Sequence, residues 1–81
     1  MTLVTLYGKP GCCLCDEARD AVAAVRERLP FELVEVDITR DPEIERAYRE
    51  RIPVVSIDGD EAFELHVDPS ELERRLARVA S

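Results

Sequence analysis

The spacing of apolar residues changes along the chain and divides it into strand-like and helix-like segments. Residues 2–7 and 31–38 are rich in β-branched and aromatic types, as strands are. Between them, apolar residues recur every three or four positions from about residue 12 or 13 to Leu29, which predicts a helix that Pro30 ends. The apolar face of this helix is predicted at Leu14, Ala18, Ala21, Val22, Val25 and Leu29. A strand, a helix and a second strand in succession predict a parallel pair with a right-handed crossover.

Two Asp-Pro pairs mark the starts of the remaining helices. Asp41 is the predicted N-cap of a second helix that runs from Pro42 to about Arg51. Its inward face is predicted to be Ile44, Ala47 and Tyr48. Asp68 is in the same way predicted to cap a last helix, which begins at Pro69. The core face of that helix is predicted to be Leu72, Leu76 and Val79.

A tight turn is predicted at Asp58-Gly59, which lies between two predicted strand-forming runs, 53–57 and 60–65. Asp-Gly between such runs is a strong signal for a β-hairpin. The resulting order of elements is βαβαββα. It predicts one α/β domain over residues 1–81, built on a four-stranded mixed sheet with helices on both faces.

All three cysteines lie where the first predicted strand gives way to the first helix, in the stretch Gly8-Lys9-Pro10-Gly11-Cys12-Cys13-Leu14-Cys15. Side chains three positions apart share one helix face, so Cys12 and Cys15 are within reach of a disulfide. Adjacent residues have Cα atoms only about 3.8 Å apart, which disfavours a Cys12–Cys13 bond. The sequence therefore favours one dithiol and leaves one cysteine over. Such a C-x-x-C is typical of catalysis or metal binding rather than of a structural framework.

The charge and hydropathy of the chain exclude several classes of function. The net charge is -7, from 18 acidic and 11 basic residues, which argues against a nucleic-acid partner and against an anionic membrane surface. No signal peptide is visible, and no apolar stretch approaches the roughly 20 residues that span a bilayer. We therefore expect a monomer in the reducing cytoplasm.

The predicted order of elements, with C-x-x-C at the start of the first helix, resembles the thioredoxin fold. Residues 7–15 also resemble the glutaredoxin signature, in which Tyr, Lys and Pro precede a C-P-Y-C. Ile52-Pro53-Val54 is similar to the second glutaredoxin motif, whose proline is cis and faces the active site. The resemblance implies a small thiol–disulfide oxidoreductase. Its implied substrate-binding residues are Tyr7, Gly11, Ile52, Pro53 and Asp68.

The chain departs from the glutaredoxin pattern in two places. Cys13 stands where the family usually has proline. The stretch 63–66, Phe-Glu-Leu-His, lacks the Gly-Gly-x-Asp that holds the γ-glutamyl end of glutathione in that family. Asp68 replaces the missing aspartate only with a shift of register. The resemblance is thus to a divergent branch that binds no cofactor permanently and for which glutathione is one candidate reductant.

The resemblance also assigns roles to the two cysteines, and elementary electrostatics agrees. A thiol at residue 12 meets the unpaired N–H groups and the positive dipole end of a helix, with Lys9 nearby, and both effects lower its pKa. Cys12 is therefore the predicted nucleophile, assisted by Lys9, and Cys15 the predicted resolving thiol. The expected partners are disulfide-containing proteins or glutathione mixed disulfides, and a reductase or glutathione that restores the dithiol.

Two other functions use the same residues. The first is a non-enzymatic metal or iron–sulfur carrier that shares ligands between two chains, because no Cys and His set completes a four-ligand site within one chain. The second is a redox-inert binding module that uses its proline loop for partners. The reactivity of the Cys12 thiol distinguishes the carrier and the binding module from an oxidoreductase.

Overall fold

The computed structural model describes residues 2–80, with only the backbone described at residue 80. A short 3-10 helix, Ile38–Arg40, follows the second strand. The regular elements are β1 (Leu3–Gly8), α1 (Cys13–Arg28), β2 (Glu32–Asp37), α2 (Pro42–Tyr48), β3 (Val54–Ile57), β4 (Asp60–Glu64) and α3 (Pro69–Ala80).

The four strands form one mixed sheet in the order β2-β1-β3-β4. β1 is parallel to β2, with Leu3 opposite Glu32 and Gly8 opposite Asp37. β3 is antiparallel to both of its neighbours, β1 and β4. The predicted order βαβαββα and the mixed sheet are therefore confirmed.

One face of the sheet carries the main core. Val4 and Leu6 of β1 pack in one buried cluster with residues of the two longer helices: Ala18, Val22 and Val25 of α1 and Leu72 and Leu76 of α3. Side chains along a strand alternate between faces, so Tyr7 points to the other side. There it stacks on Tyr48 of α2, with ring centroids 4.6 Å apart. Helices thus cover both faces of the sheet, as predicted.

Three predicted core positions are wrong. Leu14 is 42% exposed and Val79 is 48% exposed, and Ala47 is also exposed. The first two occupy the first turn of α1 and the last turn of α3, and the buried residues of those helices end at Cys15 and Leu76. Helical periodicity gives the direction of a side chain, but it does not say how far along the helix a neighbour extends.

The second helix is three residues shorter than predicted and ends at Tyr48, not at Arg51. The N–H groups of Arg51 and Ile52 both donate to the Tyr48 carbonyl, at 2.8 and 3.0 Å, which closes the helix in a tight turn. Pro53 disfavours helical backbone at the residue before it. The Arg51 side chain is drawn to β4, where its guanidinium contacts Glu61 at 2.6 Å and Glu64 at 2.8 Å.

The predicted caps and turn are confirmed. The Asp41 carboxylate accepts hydrogen bonds from the N–H groups of Glu43 and Ile44 at the start of α2. The Asp68 carboxylate accepts one from Ser70, at 2.9 Å, at the start of α3. Asp58 and Gly59 both have positive φ, which is the backbone of a two-residue hairpin turn. Among residues 2–80 no helix combines the length and the apolar character that crossing a bilayer requires.

Candidate active site

The three cysteines lie at the junction of β1 and α1. Gly11 has a φ of +78°, which a residue without a side chain adopts at no steric cost. Cys12 follows in extended backbone as the N-cap residue, and its carbonyl accepts from Asp16 N–H at 3.1 Å. All three thiols are free: Cys12 is half-buried, Cys13 is exposed and Cys15 is buried.

Hydrogen bonding holds the pKa of Cys12 below its ordinary value of 9.0. The largest cause is a hydrogen bond from the Cys15 side chain, which stabilises the Cys12 thiolate. Partial burial opposes this effect, whereas the backbone N–H groups of Cys15 and Leu14 add to it. The positive charge of Lys9 also lowers the pKa, but it is the weakest of these causes. The sequence predicted that the helix start and Lys9 would both lower the pKa of Cys12. In the structure, the hydrogen bonds at the start of α1 lower it more than the charge of Lys9 does.

Burial acts in the opposite direction on the second thiol. Cys15 is 1% exposed, and desolvation is the largest of the causes that raise its pKa to about 11. The hydrogen bond that it shares with Cys12 raises the pKa further, while the backbone N–H of Lys9 and the charge of Arg19 lower it. The two sulfur atoms are thus in contact and differ strongly in acidity.

Gly8 is a site residue that sequence reasoning assigned only to a turn. It is the last residue of β1 and is buried against Cys15. A Cβ atom at this position would lie 3.0 Å from Cys15 Sγ and 3.3 Å from Cys15 Cβ. Because residue 8 has no side chain, the Cys15 thiol of α1 packs directly against the end of β1. A glycine directly after the predicted strand 2–7 was the available signal.

Two of the predicted substrate-binding residues, Tyr7 and Ile52, lie in or against the cluster that contains Cys15. Cys15 packs with Ile38 and Ile52 in a buried cluster that Cys12, Tyr7 and Tyr48 border. Burial, followed by the neighbouring Tyr48 and Glu61, raises the pKa of the Tyr7 hydroxyl. The Ile52–Pro53 peptide bond is cis, and Pro53 is fully buried.

The remaining predicted site residues lie at the surface. Lys9 and Gly11 are exposed in the loop before Cys12. Asp68 is exposed at the start of α3, where its carboxylate caps the helix. Within residues 2–80 no three His, Cys, Asp or Glu side chains are grouped so that they could hold a metal ion.

The stretch after β4, which lacks the family's glycines, still adopts a glycine-like backbone. Leu65 has a φ of +67°, a region that costs a residue with a side chain about 1–2 kcal/mol. Its N–H donates to the carbonyls of Pro53, at 2.9 Å, and Arg51, at 3.1 Å. The Leu65 side chain remains 47% exposed beside the proline loop.

A C-x-x-C at the first turn of a helix, a mixed four-stranded sheet, and a cis proline after the Ile52 that packs with Cys15 define a thioredoxin-fold protein with a dithiol site. Mitochondrial thioredoxin 3 from Saccharomyces cerevisiae shares this fold. It is 18% identical, with a TM-score of 0.71, over 95% of this chain and 77% of that chain.

Within this class, the chain belongs to the glutaredoxin-like domain family (DUF836), which matches residues 3–77. The X-ray structure of target protein XcR50 from X. campestris is 33% identical, with a TM-score of 0.77, and the match covers 93% of this chain and 96% of that chain. The uncharacterized protein Rv0508 of Mycobacterium tuberculosis (strain ATCC 25618 / H37Rv) is 29% identical over 80 residues, 93% of this chain and 82% of that protein. The family and the fold support a function in thiol redox chemistry.

Proposed function

We propose that this protein is a small thiol–disulfide oxidoreductase that reduces protein disulfides or mixed disulfides through Cys12 and Cys15. The observation that carries the proposal is the pairing of two thiols with opposite properties. Cys12 is accessible and its pKa is lowered, whereas Cys15 lies behind it, buried and protonated. The thiolate is the nucleophile in exchange reactions, so Cys12 attacks first.

The reaction proceeds in two displacements. The Cys12 thiolate attacks one sulfur of the substrate disulfide, the substrate S–S bond breaks, and its electron pair leaves with the other sulfur, which takes a proton from water. Cys15 then loses its proton and attacks Cys12 Sγ, and the second substrate sulfur leaves as a thiol. The protein ends with a Cys12–Cys15 disulfide, and two electrons have passed to the substrate.

The surrounding residues supply the binding surface in this proposal. Ile52 belongs to the buried cluster that contains Cys15, Tyr7 packs against that cluster, and Pro53 follows Ile52 through a cis bond. Gly11 leaves the position directly before Cys12 without a side chain. An extended substrate segment adds beside the proline loop, as peptides do at exposed backbone edges. Lys9 and Asp68 are proposed to contribute charge at the rim of the site.

The reductant in this proposal is glutathione or a reductase, and no cofactor is bound permanently. Leu65 projects a half-exposed side chain in the stretch that lacks the family's glycines, and Glu64 next to it is negatively charged. Both features support weak rather than tight glutathione binding. The proposal also has the protein act as a monomer of one domain in the cytoplasm, where the dithiol is kept reduced.

Three matched cysteine variants test the assignment, with reduction of insulin and of a glutathione–peptide mixed disulfide as assays. We expect Cys12→Ser to abolish both activities, Cys15→Ser to accumulate a mixed disulfide detectable by mass spectrometry, and Cys13→Ser to retain activity as the control. Full activity of Cys12→Ser would show that the role assignment is wrong. Recycling by glutathione and by a thioredoxin reductase, compared side by side, identifies the reductant.

The same preparations separate the other two functions. A metal or iron–sulfur carrier would be coloured after anaerobic purification and would lose its colour in Cys12→Ser. A redox-inert binding module would show an ordinary pKa for Cys12 when alkylation is followed against pH. Either result would count against the oxidoreductase.

A further inference from the structure

A cavity of about 390 Å³ reaches the buried thiol of Cys15 between the start of α1 and the end of β2. Four charged residues line it together with Cys15: Lys9, Arg19, Glu35 and Asp37. The Asp37 carboxylate accepts hydrogen bonds from the N–H and the hydroxyl of Thr39, at 2.9 and 2.6 Å. Tyr7 and Tyr48 pack against the cluster that contains Cys15.

Arg19 is fixed in position by two carboxylates. It lies four residues after Cys15 on α1, so the two side chains share a helix face. Its Nε donates to Glu35 of β2 at 2.5 Å, and its Nη1 contacts Asp16 at 3.1 Å. A guanidinium held from two sides loses little further freedom when a negative charge forms next to it.

The resolving step requires a negative charge to form in this buried place. In the free dithiol, the Cys15 pKa of about 11 means that only about one molecule in ten thousand has this thiol ionised at pH 7. Once Cys12 is part of a mixed disulfide, its thiol no longer hydrogen-bonds Cys15. Burial then opposes ionisation, and the groups that favour it are the Lys9 backbone N–H and the Arg19 charge.

We propose that Arg19, held beside the cavity by Glu35, is a positioning residue that stabilises the thiolate forming on Cys15 during the resolving step. This inference rests on the proposed function. The proton of Cys15 leaves to water, its thiolate attacks Cys12 Sγ, and the bond from Cys12 to the substrate sulfur breaks with its electron pair on that sulfur. Arg19 makes no bond to the reacting atoms and acts only through its charge.

A two-step thiol assay in a Cys13→Ser background measures the two displacements separately. Reduced protein mixed rapidly with 5,5′-dithiobis(2-nitrobenzoate) releases one nitrothiobenzoate when Cys12 attacks and a second when Cys15 resolves the adduct. We expect Arg19→Gln to leave the first phase unchanged and to slow the second about three- to tenfold at pH 7, with the rate recovering at high pH. Arg19→Lys, which keeps the charge, should recover most of the loss.

Arg28→Gln is the matched control, because it removes the same charge from the last turn of the same helix, where Arg28 pairs with Glu73. It should change neither phase. Equal slowing of both phases by Arg19→Gln, an unchanged second phase, or a lysine variant as slow as the glutamine variant would overturn the role of Arg19 while leaving the dithiol mechanism intact. A Cys13→Ser protein with Arg19 intact that releases no nitrothiobenzoate would instead overturn the proposed function.

A second measurement does not depend on turnover. In Cys12→Ser/Cys13→Ser protein, the rate of Cys15 alkylation against pH reports the acidity of the buried thiol alone. We expect Arg19→Gln to move its midpoint to higher pH and Arg28→Gln to leave it in place. Equal midpoints in all three proteins would contradict the inference.

Discussion

The acidity of Cys12 depends on its neighbour at residue 15 more than on the lysine at residue 9. The hydrogen bond from Cys15 is the largest cause of the lowered pKa of Cys12, and the charge of Lys9 is the smallest. We therefore expect Cys15→Ala to move the midpoint of Cys12 alkylation to higher pH, and Lys9→Ala to move it much less. Iodoacetamide labelling against pH in a Cys13→Ser background measures both.

Cys15→Ser is the control for that measurement, since a serine hydroxyl still donates a hydrogen bond to the Cys12 thiolate. Its midpoint should lie between those of the wild type and Cys15→Ala. A larger effect of Lys9→Ala than of Cys15→Ala would show that the lysine charge is the dominant influence.

Gly8 determines how closely the second thiol approaches the sheet. A methyl group at residue 8 meets Cys15 Sγ at 3.0 Å, so Gly8→Ala must displace Cys15 or the start of α1. We expect a loss of about 1–3 kcal/mol in the free energy of unfolding, typical of overpacking, and slower resolution of the mixed disulfide. Denaturant unfolding and the two-step thiol assay measure the two effects.

Gly11→Ala separates this contact from backbone strain. Nothing lies within 4 Å of a Cβ at residue 11, but its φ of +78° costs an alanine about 1–2 kcal/mol. It should lower stability and leave the resolving rate unchanged. If Gly8→Ala resolves the mixed disulfide at the wild-type rate, the contact with Cys15 does not matter for the reaction.

At the scale of elements, Asp68 has one role that the structure shows and one that remains a proposal. Its carboxylate caps α3 through the N–H of Ser70, and replacing a capping Asp by Ala typically costs about 1 kcal/mol. We expect Asp68→Ala to lose about that much stability, and Asp68→Asn, which still caps, to lose little. Thermal unfolding of both variants measures this.

Kinetics of the same pair test the proposed binding role. A residue that only caps α3 leaves the KM for a glutathione mixed disulfide unchanged in Asp68→Asn. An increase in KM in the asparagine variant, at unchanged stability, would establish that the carboxylate charge contacts the substrate.

Element starts were easier to predict than element ends. Asp41 and Asp68 predict the starts of α2 and α3, because a capping side chain and the proline after it affect only the backbone of the next three or four residues. Pro53 predicts that α2 ends before Ile52, but it does not say how many residues before, so the helix was predicted too long. Arg51, which was predicted to be helical, instead contacts Glu61 and Glu64 of β4, ten and 13 residues away along the chain.

For the whole molecule, the two thiols make stability depend on pH with opposite signs. The lowered pKa of Cys12 stabilises the folded reduced protein above pH 9, and this contribution is lost as the pH falls through the folded value. Cys15 keeps its proton up to about pH 11, whereas the unfolded chain loses it near pH 9, so unfolding becomes easier between these values. The thiol contribution is therefore greatest near pH 9.

The double variant Cys12→Ser/Cys15→Ser provides the reference, because serine does not titrate in this range. The difference in unfolding free energy between reduced wild type and this variant, measured by urea denaturation at several pH values, should rise toward pH 9 and fall above it. A difference that does not change with pH would mean that neither thiol is perturbed by folding.

The whole-molecule fold was predictable because a short chain with clear periodicity and turn residues permits few arrangements. The dithiol was predictable as well, since Cys12 and Cys15 are neighbours on one helix. The cavity beside Cys15 was not, because Arg19 and Glu35 meet across two elements, 16 residues apart. The role of Gly8 was not predictable either, because its contact with Cys15 exists only once α1 lies on the sheet.

The stacked rings of Tyr7 and Tyr48 give the protein an optical property of its own. The chain has no tryptophan and only these two tyrosines, so its ultraviolet emission arises entirely from a ring pair 4.6 Å apart and inclined by 17°. Both rings pack against the cluster that contains Cys15, as Cys12 does, and thiolates and disulfides quench tyrosine emission at short range. The intrinsic fluorescence of the unlabelled protein should therefore report, in real time, each passage between its reduced and oxidised forms.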